Sequence, residues 1–432
     1  MDTIKNIQNE NPMETVIILW ITTFVTMLGI GLIAPLMSIY AKQLGASNLE
    51  IGLIFGSFAL ARTIAQIPVG SLSDIYGKKI FIVVGTFFCA IFTFSYAFVT
   101  SVIGLVIIRT LNGAFSSFIT PVAGAYMASI APKQKLGEYM GIFSSSIALG
   151  FAFGPVIGGV LAQYYGITTP FYFCGALTFL AFLVSLIKLK NILVLKDGTF
   201  KYTNKIIFTK KDNVKNHKQK MFSLEFFKNK YFSAAYIINM AYMATTAGIM
   251  GYLAIYATGY NVSLSQVGFL IAFTNLLMGG LQKVFGKLYD KKGNILIIIG
   301  LIISGIGVIG LSQSSSFIEM LVSLSISAIG NAIYGPAINA LSMSSVEPHR
   351  KGGAMGFFTT SMNIGIFLGS VVLGFVADYV GLSNMYIFAA ISSFIICSIS
   401  YLIISNEDNK SKNNNNKNNN SNNNNNNNND KQ

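Results

Sequence analysis

The sequence predicts an all-α integral membrane protein whose twelve transmembrane helices form two pseudo-symmetric six-helix bundles. Three observations predict this fold: the composition, the number of apolar runs and an internal repeat. Of the 432 residues, 53% are hydrophobic and only 11% are charged, whereas soluble domains carry about 25% charged residues. So few charges cannot cover so much apolar surface in water. The composition therefore excludes a secreted module, a cytosolic α/β enzyme and a disordered regulator.

Twelve apolar runs reach the length of about 20 residues that a helix needs to cross a bilayer. They lie near residues 15–40, 50–70, 80–99, 102–130, 140–163, 168–188, 231–257, 265–286, 294–312, 317–345, 354–377 and 384–404. Six precede a Lys-rich polar stretch and six follow it. This pattern predicts a cytosolic N-terminus at 1–14, an N-terminal bundle at 15–188, a basic cytosolic loop at 189–230, a C-terminal bundle at 231–404 and a disordered, Asn-rich cytosolic tail at 405–432.

The distribution of positive charge predicts the orientation. If the N-terminus is cytosolic, all but three of the 30 Lys and Arg residues lie in cytosolic segments or at inner helix ends. The exceptions are Lys42 in an outer loop, and Arg62 and Arg109 within spans. Because cytosolic loops are enriched in Lys and Arg, we expect a multi-pass membrane protein with both termini in the cytosol. The net charge of +14 then reflects topology and contact with the lipid bilayer rather than nucleic-acid binding.

The second half of the chain repeats the first. The pattern Gly-x-Leu-x-Asp-x-x-Gly at 70–77 recurs at 286–293, with all four defined positions shifted equally. The glycines of the fifth span recur in the eleventh at an offset that is shorter by one: Gly141, Gly150, Gly154 and Gly159 are matched by Gly356, Gly365, Gly369 and Gly374. Many matches at nearly one offset indicate a duplicated six-helix unit, as in many transporter folds.

The segment from 70 to 79, Gly-Ser-Leu-Ser-Asp-Ile-Tyr-Gly-Lys-Lys, resembles the signature of the major facilitator superfamily between spans 2 and 3. The resemblance covers residues 15–404 and implies the major facilitator fold, with a monomer as the default state. It also implies a gate at the inner face, held by charge and helix-dipole contacts. The gate residues would be Gly70, Asp74, Gly77, Lys78 and Lys79, with Asp290 in the second copy. The alternative interpretation is a solvated turn whose lysines only set the topology.

Two arginines within spans are candidates for coupling or substrate binding. An arginine at that depth costs about 2.5–3.5 kcal/mol on insertion scales, so it should face the bundle interior or a wet cavity. Arg109 and Asn112 lie on one face of the fourth span. Arg109-x-x-x-Gly113 resembles the family's fourth-span motif, whose arginine is assigned to proton coupling; alternatively, Arg109 lies near the outer end and snorkels. Arg62 matches no family motif and either binds an anionic substrate or braces its helix.

The fifth span contains a glycine-rich motif: Gly150, Gly154, Pro155, Gly158 and Gly159. Spaced glycines permit close contact between helices, and neighbouring helices compensate the kink at a proline. The pattern resembles the motif of antiporters in the superfamily, especially the twelve-span drug/proton exporters. The second copy is degenerate, because Ser370 replaces the proline.

By the same resemblance, spans 1, 4, 7 and 10 line a central cavity. Four polar residues of the seventh and tenth spans are candidates for its wall: Asn239, Tyr242, Asn331 and Tyr334. Each can equally join one helix to another. None of the 16 acidic residues lies in the middle of a span; those nearest, at span ends, are Glu50, Glu138, Glu319 and Asp378. The cavity therefore suits a neutral, amphiphilic or anionic substrate, and proton coupling would need an acid at a helix end, since arginine does not titrate.

We therefore expect a secondary transporter that moves small molecules by alternating access, exporting amphiphilic compounds in exchange for protons. The alternative within transport is a uniporter or symporter for a metabolite such as a sugar or an organic anion. An integral-membrane enzyme would need a buried cluster of catalytic acids, histidines or cysteines, and the sequence offers none. We accordingly expect no catalytic residues, no metal site and no cofactor. A receptor or scaffold without transport activity is the remaining class.

Overall fold

The computed structural model describes residues 12–132, 135–194, 200–203, 224–344, 346 and 351–429. Within these ranges the N-terminal half contains helices α1 (Pro12–Gln43), α2 (Asn48–Tyr76), α3 (Lys78–Ser95), α4 (Val102–Ser116), α5 (Thr120–Ile130), α6 (Leu136–Tyr165) and α7 (Thr169–Lys188). The C-terminal half contains α8 (Lys230–Gly259), α9 (Leu264–Lys292), α10 (Ile295–Gln313), α11 (Phe317–Ser344) and α12 (Lys351–Asn429). The all-α membrane fold predicted from the sequence is confirmed.

Eleven helical stretches in this part of the chain are long and apolar enough to cross a membrane. The last of them, Phe357–Ile396, has 40 residues and as one straight helix would measure about 60 Å, twice the thickness of the hydrocarbon core. Gly381 divides it, because the backbone there has φ 81° and ψ 166°, a conformation that glycine adopts readily. α12 therefore contains two crossings, which agrees with the twelve predicted spans.

The fourth crossing is also interrupted. α4 ends at Ser116 and α5 begins at Thr120, with Pro121 in the first turn of α5. Proline has no N–H to donate to the preceding turn, and its ring clashes with the carbonyl four residues earlier, so it is tolerated best at a helix start. The fourth span is thus two helices in line.

The polar loop predicted at 189–230 contains a short hairpin that the sequence analysis missed. Strands β1 (Asn191–Val194) and β2 (Phe200–Thr203) pair antiparallel, with Asn191 opposite Thr203. The Tyr126 hydroxyl on α5 donates a hydrogen bond to the carbonyl of Lys190 and ties the start of this loop to the bundle.

In the C-terminal half, α12 continues to Asn429, whereas the sequence predicts disorder from residue 405. Residues added to an existing helix avoid the unfavourable nucleation step.

Local structure at two helix starts reproduces the internal repeat. Ser47 precedes α2, and its backbone N–H donates to the Glu50 carboxylate at 2.8 Å, while its side chain accepts from the Glu50 backbone N–H. The same capping box precedes α9, where Ser263 and Gln266 occupy the positions that the repeat relates to Ser47 and Glu50 and make the equivalent bonds. Each box satisfies two backbone donors that lack a partner within the helix.

Helix packing within each half follows the same repeat. A Cβ atom built on Gly154 of α6 would lie 2.5 Å from the carbonyl oxygen of Leu28 on α1. Gly369 of α12 packs equally closely on Ala244 of α8. Gly154 and Gly369 are equivalent by the repeat, and so are their partners Leu28 and Ala244. The two bundles are therefore pseudo-symmetric, as predicted.

Besides the packing of α1 on α8, the two halves meet along two contacts that the repeat relates. α2 packs on α12, where Gly52 meets the backbone of Ser370, and α6 packs on α9, where Gly268 meets the backbone of Pro155. Both contacts lie in the parts of these helices nearest the turns at 44–47 and 260–263. We call this end of the molecule the outer end and the opposite one the inner end, names that follow the predicted orientation.

Toward the inner end the same helices separate. Gly141 of α6 and Gly279 of α9 lie on about the same helix faces as Pro155 and Gly268, three to four turns further in. A Cβ atom built on either glycine would have no described atom within 4 Å. The described part of the molecule is therefore closed at the outer end and open at the inner end.

Candidate substrate-binding site

A pocket of about 100 Å³ with a mixed polar and apolar lining lies between α8, α9 and α11. A second, smaller pocket of about 20 Å³ lies deeper, between α8, α10, α11 and α12. They share Tyr242, Thr246, Ile249, Ser327 and Asn331, so we treat them as one region and call it the C-terminal pocket.

Three of the four residues predicted for the cavity wall line the C-terminal pocket. Tyr242 and Asn331 border both of its parts, and Tyr334 borders the deeper one. Asn239 is not among the residues that line either part. Its side-chain amide donates to the Ser361 hydroxyl on α12 at 2.7 Å, so it joins two helices of the same half.

The lining combines hydroxyl, amide, thioether and aromatic groups. The side-chain oxygen of Asn331 accepts a hydrogen bond from the Ser304 hydroxyl at 2.7 Å. The rings of Tyr242 and Tyr334 meet edge to face, with centroids 4.9 Å apart, and the Tyr242 hydroxyl lies 3.9 Å from the sulfur of Met278. No Asp, Glu, Lys, Arg or His is among the described lining residues. Side chains of these kinds can contact both uncharged polar groups and apolar surface.

Sequence reasoning missed the contribution of α9. Thr274, Asn275 and Met278 line the part of the pocket between α8, α9 and α11, whereas the family resemblance points only to spans 7 and 10 of this half. The Asn275 amide also donates to the Phe151 carbonyl on α6 at 3.4 Å, so this wall touches the other half of the molecule. The polar pair at 274–275 interrupts the apolar run from 269 to 277, and that interruption was the available signal.

Arg109 lies inside the N-terminal bundle and does not snorkel to the outer end. The residue is 3% exposed, and its guanidinium carbon lies 4.6 Å from the ring centroid of Phe58 and 5.6 Å from that of Phe55, both on α2. Such cation–π contacts compensate part of the lost hydration. The buried Nε atoms of Arg109 and Arg62 have no hydrogen-bond partner within the described residues. The N-terminal half therefore carries two guanidinium groups with unused donors.

The Asn112 side chain joins α4 to α3 within the N-terminal bundle. Its amide donates to the Cys89 carbonyl at 3.5 Å and to the Thr93 hydroxyl at 3.4 Å, both on α3. One turn from Arg109 on α4, it is directed to a neighbouring helix of the same bundle. Its predicted role beside Arg109 in coupling or substrate binding has no geometric support from these contacts.

The predicted inner gate lies where α2 meets α3 and where α9 ends. Gly70 and Asp74 lie in the last turns of α2, Gly77 joins it to α3, and α3 begins with Lys78 and Lys79, of which Lys79 is buried. Asp290 lies near the end of α9. The side chains of Asp74 and Asp290 lie outside what the structure describes. The gating role of these residues therefore stays a prediction.

The glycine-rich motif of the fifth span faces both halves. A Cβ atom built on Gly150, Gly154 or Gly158 would lie within 3 Å of the α1 backbone or Cβ atoms, and one built on Gly159 would collide with Leu264 of α9. Pro155 packs between Gly31 of α1 and Gly268 of α9. α6 is thus the helix through which the N-terminal bundle touches α9.

Twelve crossings in two pseudo-symmetric halves, a closed outer end and a polar pocket near the contact between the halves define a membrane transporter. The sequence profile of the Major Facilitator Superfamily matches residues 19–299 and 294–423. The chain belongs to this superfamily.

Individual relatives agree with that membership. An MFS-type transporter of Methanocaldococcus jannaschii, itself described as uncharacterized, is 56% identical over 391 residues, which are 90% of this chain and 98% of that protein. The quinolone resistance protein NorA of Staphylococcus aureus is 26% identical over 371 residues, 84% of this chain and 90% of that protein. A bacterial homologue of the human lysosomal transporter Spinster, solved in an inward-facing and unoccupied conformation, superposes with a TM-score of 0.75 at 16% identity, covering 91% of this chain and 97% of that one.

Proposed function

We propose that this transporter exports small amphiphilic compounds by alternating access in exchange for protons, with both termini in the cytosol. The observation that carries the proposal is the C-terminal pocket, whose described lining offers hydroxyl, amide and aromatic groups and no charge. An amphiphile places its polar part against such groups and its apolar part against the surrounding rings and methionines. The opening at the inner end would admit such a compound from the cytosol.

Two further observations support export. The fifth-span motif packs closely on α1 and α9, which places it at the contact between the halves, and it resembles the antiporter motif of the superfamily. The relative NorA is a quinolone resistance protein, and resistance agrees with removal of an amphiphilic compound from the cell. In the transport cycle the two bundles would rock about the pocket, and the gate around Asp74 and Asp290 would close the inner end.

The alternative is a uniporter or symporter for a metabolite such as a sugar or an organic anion. One observation favours the uniporter: the described lining of the pocket contains no group that titrates near neutral pH. Coupling to protons therefore needs a carboxylate elsewhere. Of the four acids at span ends, Glu50 caps its own helix, Glu138 pairs with Lys135 at 3.9 Å and Glu319 accepts from Ser315 in its own half. Asp378 alone among these four joins the two halves in the described contacts.

Dye efflux from cells that express the chain tests the proposal. We expect efflux of an uncharged lipophilic dye to stop when a proton uncoupler is added, and to fall at least tenfold in Asn331→Ala and Arg109→Ala. Thr258→Ala is the matched control, because Thr258 lies on α8 outside the described pocket lining and donates only to carbonyls of its own helix. Efflux that persists with the uncoupler would favour the uniporter. No efflux from cells with confirmed membrane expression would contradict drug export.

A further inference from the structure

A carboxylate of the C-terminal half caps a helix of the N-terminal half at the outer end. Asp378 on α12 accepts hydrogen bonds from the backbone N–H groups of Asn48 and Leu49, one on each carboxylate oxygen, both at 2.9 Å. These are the first two residues of α2, whose N–H groups have no partner within the helix. The positive end of the α2 dipole also faces the carboxylate. The contact is therefore a charge-assisted bridge between the two halves.

The internal repeat places a second bridge at the other contact between the halves. The side-chain oxygen of Gln163 on α6 accepts from the backbone N–H of Ser265, in the first turn of α9, at 3.1 Å. The offset of the fifth-span glycines relates Gln163 to Asp378, and the offset of the 70–77 pattern relates Leu49 to Ser265. The two bridges are therefore equivalent by pseudo-symmetry. One acceptor is an anion and the other a neutral amide.

Neither bridge is needed to start its helix. Ser47 and Glu50 already cap α2 from within the N-terminal half, and Ser263 and Gln266 cap α9 from within the C-terminal half. When the outer end opens, water can take the place of the acceptor on the remaining N–H groups. Each bridge therefore stabilises the closed outer end rather than the helix whose first turn it contacts.

We propose that the bridges made by Asp378 and Gln163 hold the outer end closed, and we call them the Asp378 latch and the Gln163 latch. The charged Asp378 latch is the stronger of the two. Hydrogen bonds to charged groups contribute more than neutral ones. Loss of the Asp378 latch should lower the ratio of closed to open outer ends about tenfold, and loss of the Gln163 latch about threefold. Gln163→Glu, which places an anion at the start of α9, should raise that ratio.

Distances between two spin labels on the full-length protein test the latches without any substrate. Phe98 and Gln313 are exposed at the outer ends of the N- and C-terminal halves, and each is replaced by a labelled cysteine. The native cysteines Cys89, Cys174 and Cys397 are replaced by alanine. In Asp378→Ala and Asp378→Asn we expect the long-distance population, which reports the open outer end, to grow; it should grow less in Gln163→Ala.

Glu319→Gln is the matched control. It removes the same charge from the same end of the same half, but Glu319 accepts from Ser315 of its own half, at 2.7 Å. The latch proposal is overturned if Asp378→Asn and Glu319→Gln give the same distance distribution. If the Asp378 variants do not fold, Gln163→Glu decides: a larger closed population supports the latches, and an unchanged or smaller one contradicts them. Because this readout needs no transport, it stands or falls separately from drug export.

Discussion

The two contacts between the halves share a backbone design but differ in side-chain chemistry. In each, a glycine of one half meets the backbone of the other: Gly52 meets Ser370 where α2 packs on α12, and Gly268 meets Pro155 where α6 packs on α9. In each, a side chain from the opposite half accepts from the first turn of a helix. The α2–α12 contact uses a carboxylate for this, and the α6–α9 contact uses a neutral amide.

Tyr252 adds a second chemical difference between the α2–α12 and α6–α9 contacts. The Tyr252 hydroxyl lies beside the α2–α12 contact, 2.9 Å from the carbonyl oxygen of Asn48 and 3.0 Å from that of Ser370. The repeat places Leu36 at the equivalent position of the first half, which has no hydroxyl to donate. Both contacts thus have a closely packed glycine, whereas among the described contacts the charged acceptor and the tyrosine hydroxyl belong to the α2–α12 contact. We infer that the α2–α12 contact resists opening more strongly than the α6–α9 contact.

The largest expected effect comes from filling one of the glycine positions. In Gly268→Val the new side chain would collide with the backbone of Pro155 and Val156, and overpacking of this kind costs about 1–3 kcal/mol. We expect the outer end to open and transport to fall at least tenfold, measured by label distances and by efflux. Gly52→Val should have an effect of the same sign.

Gly279→Val provides the control for this prediction. Gly279 lies on the same face of α9 three turns toward the inner end, where a Cβ atom meets no described atom within 4 Å. This variant should leave the outer end closed. If both α9 variants open the outer end equally, the effect belongs to the helix as a whole and not to its contact with α6.

A smaller effect should follow from removing only the Tyr252 hydroxyl. Tyr252→Phe keeps the ring but leaves the carbonyls of Asn48 and Ser370 without this donor, which should cost about 1 kcal/mol of the closed state. We expect a several-fold larger open population in the label-distance measurement. Tyr256→Phe, one turn along α8, loses a hydroxyl that donates to Ser312 and Ser314 of its own half. An equally large increase of the open population in Tyr256→Phe would contradict a specific contribution of the Tyr252 hydroxyl to the α2–α12 contact.

Much of the fold could be predicted from the sequence because its causes are local. Apolar length defines the spans, and the recurrence of glycines at fixed offsets defines the two halves before any contact is known. The equivalence of Gly154 with Gly369 reappears in the structure as equivalent close contacts. The break at Gly381 falls in the gap predicted between the last two spans. The short hairpin after α7 depends on two four-residue strands, which leave almost no periodic signal.

The candidate site was harder to predict, because a polar residue in a span does not reveal its neighbour. Tyr242 and Asn331 line the pocket, but Asn239 on the same predicted stripe binds Ser361 instead. Asp378 was recognised only as an acid at a helix end. Its bridge to Asn48 joins two residues that are far apart along the chain, and only the packing of α2 on α12 brings them together.

The smallest conformational effect is expected at Asn275, the polar tie that belongs to the α6–α9 contact. Its hydrogen bond to the Phe151 carbonyl is long, at 3.4 Å, so Asn275→Ala should change the outer-end equilibrium by less than about twofold, since long hydrogen bonds are weak. Asn275 also lines the pocket, so the same substitution should raise the dye concentration for half-maximal efflux several-fold. Thr258→Ala should change neither quantity. A large shift of the label distances in Asn275→Ala would mean that the neutral contact also depends on a polar side chain, and the inferred difference between the two contacts would have to be abandoned.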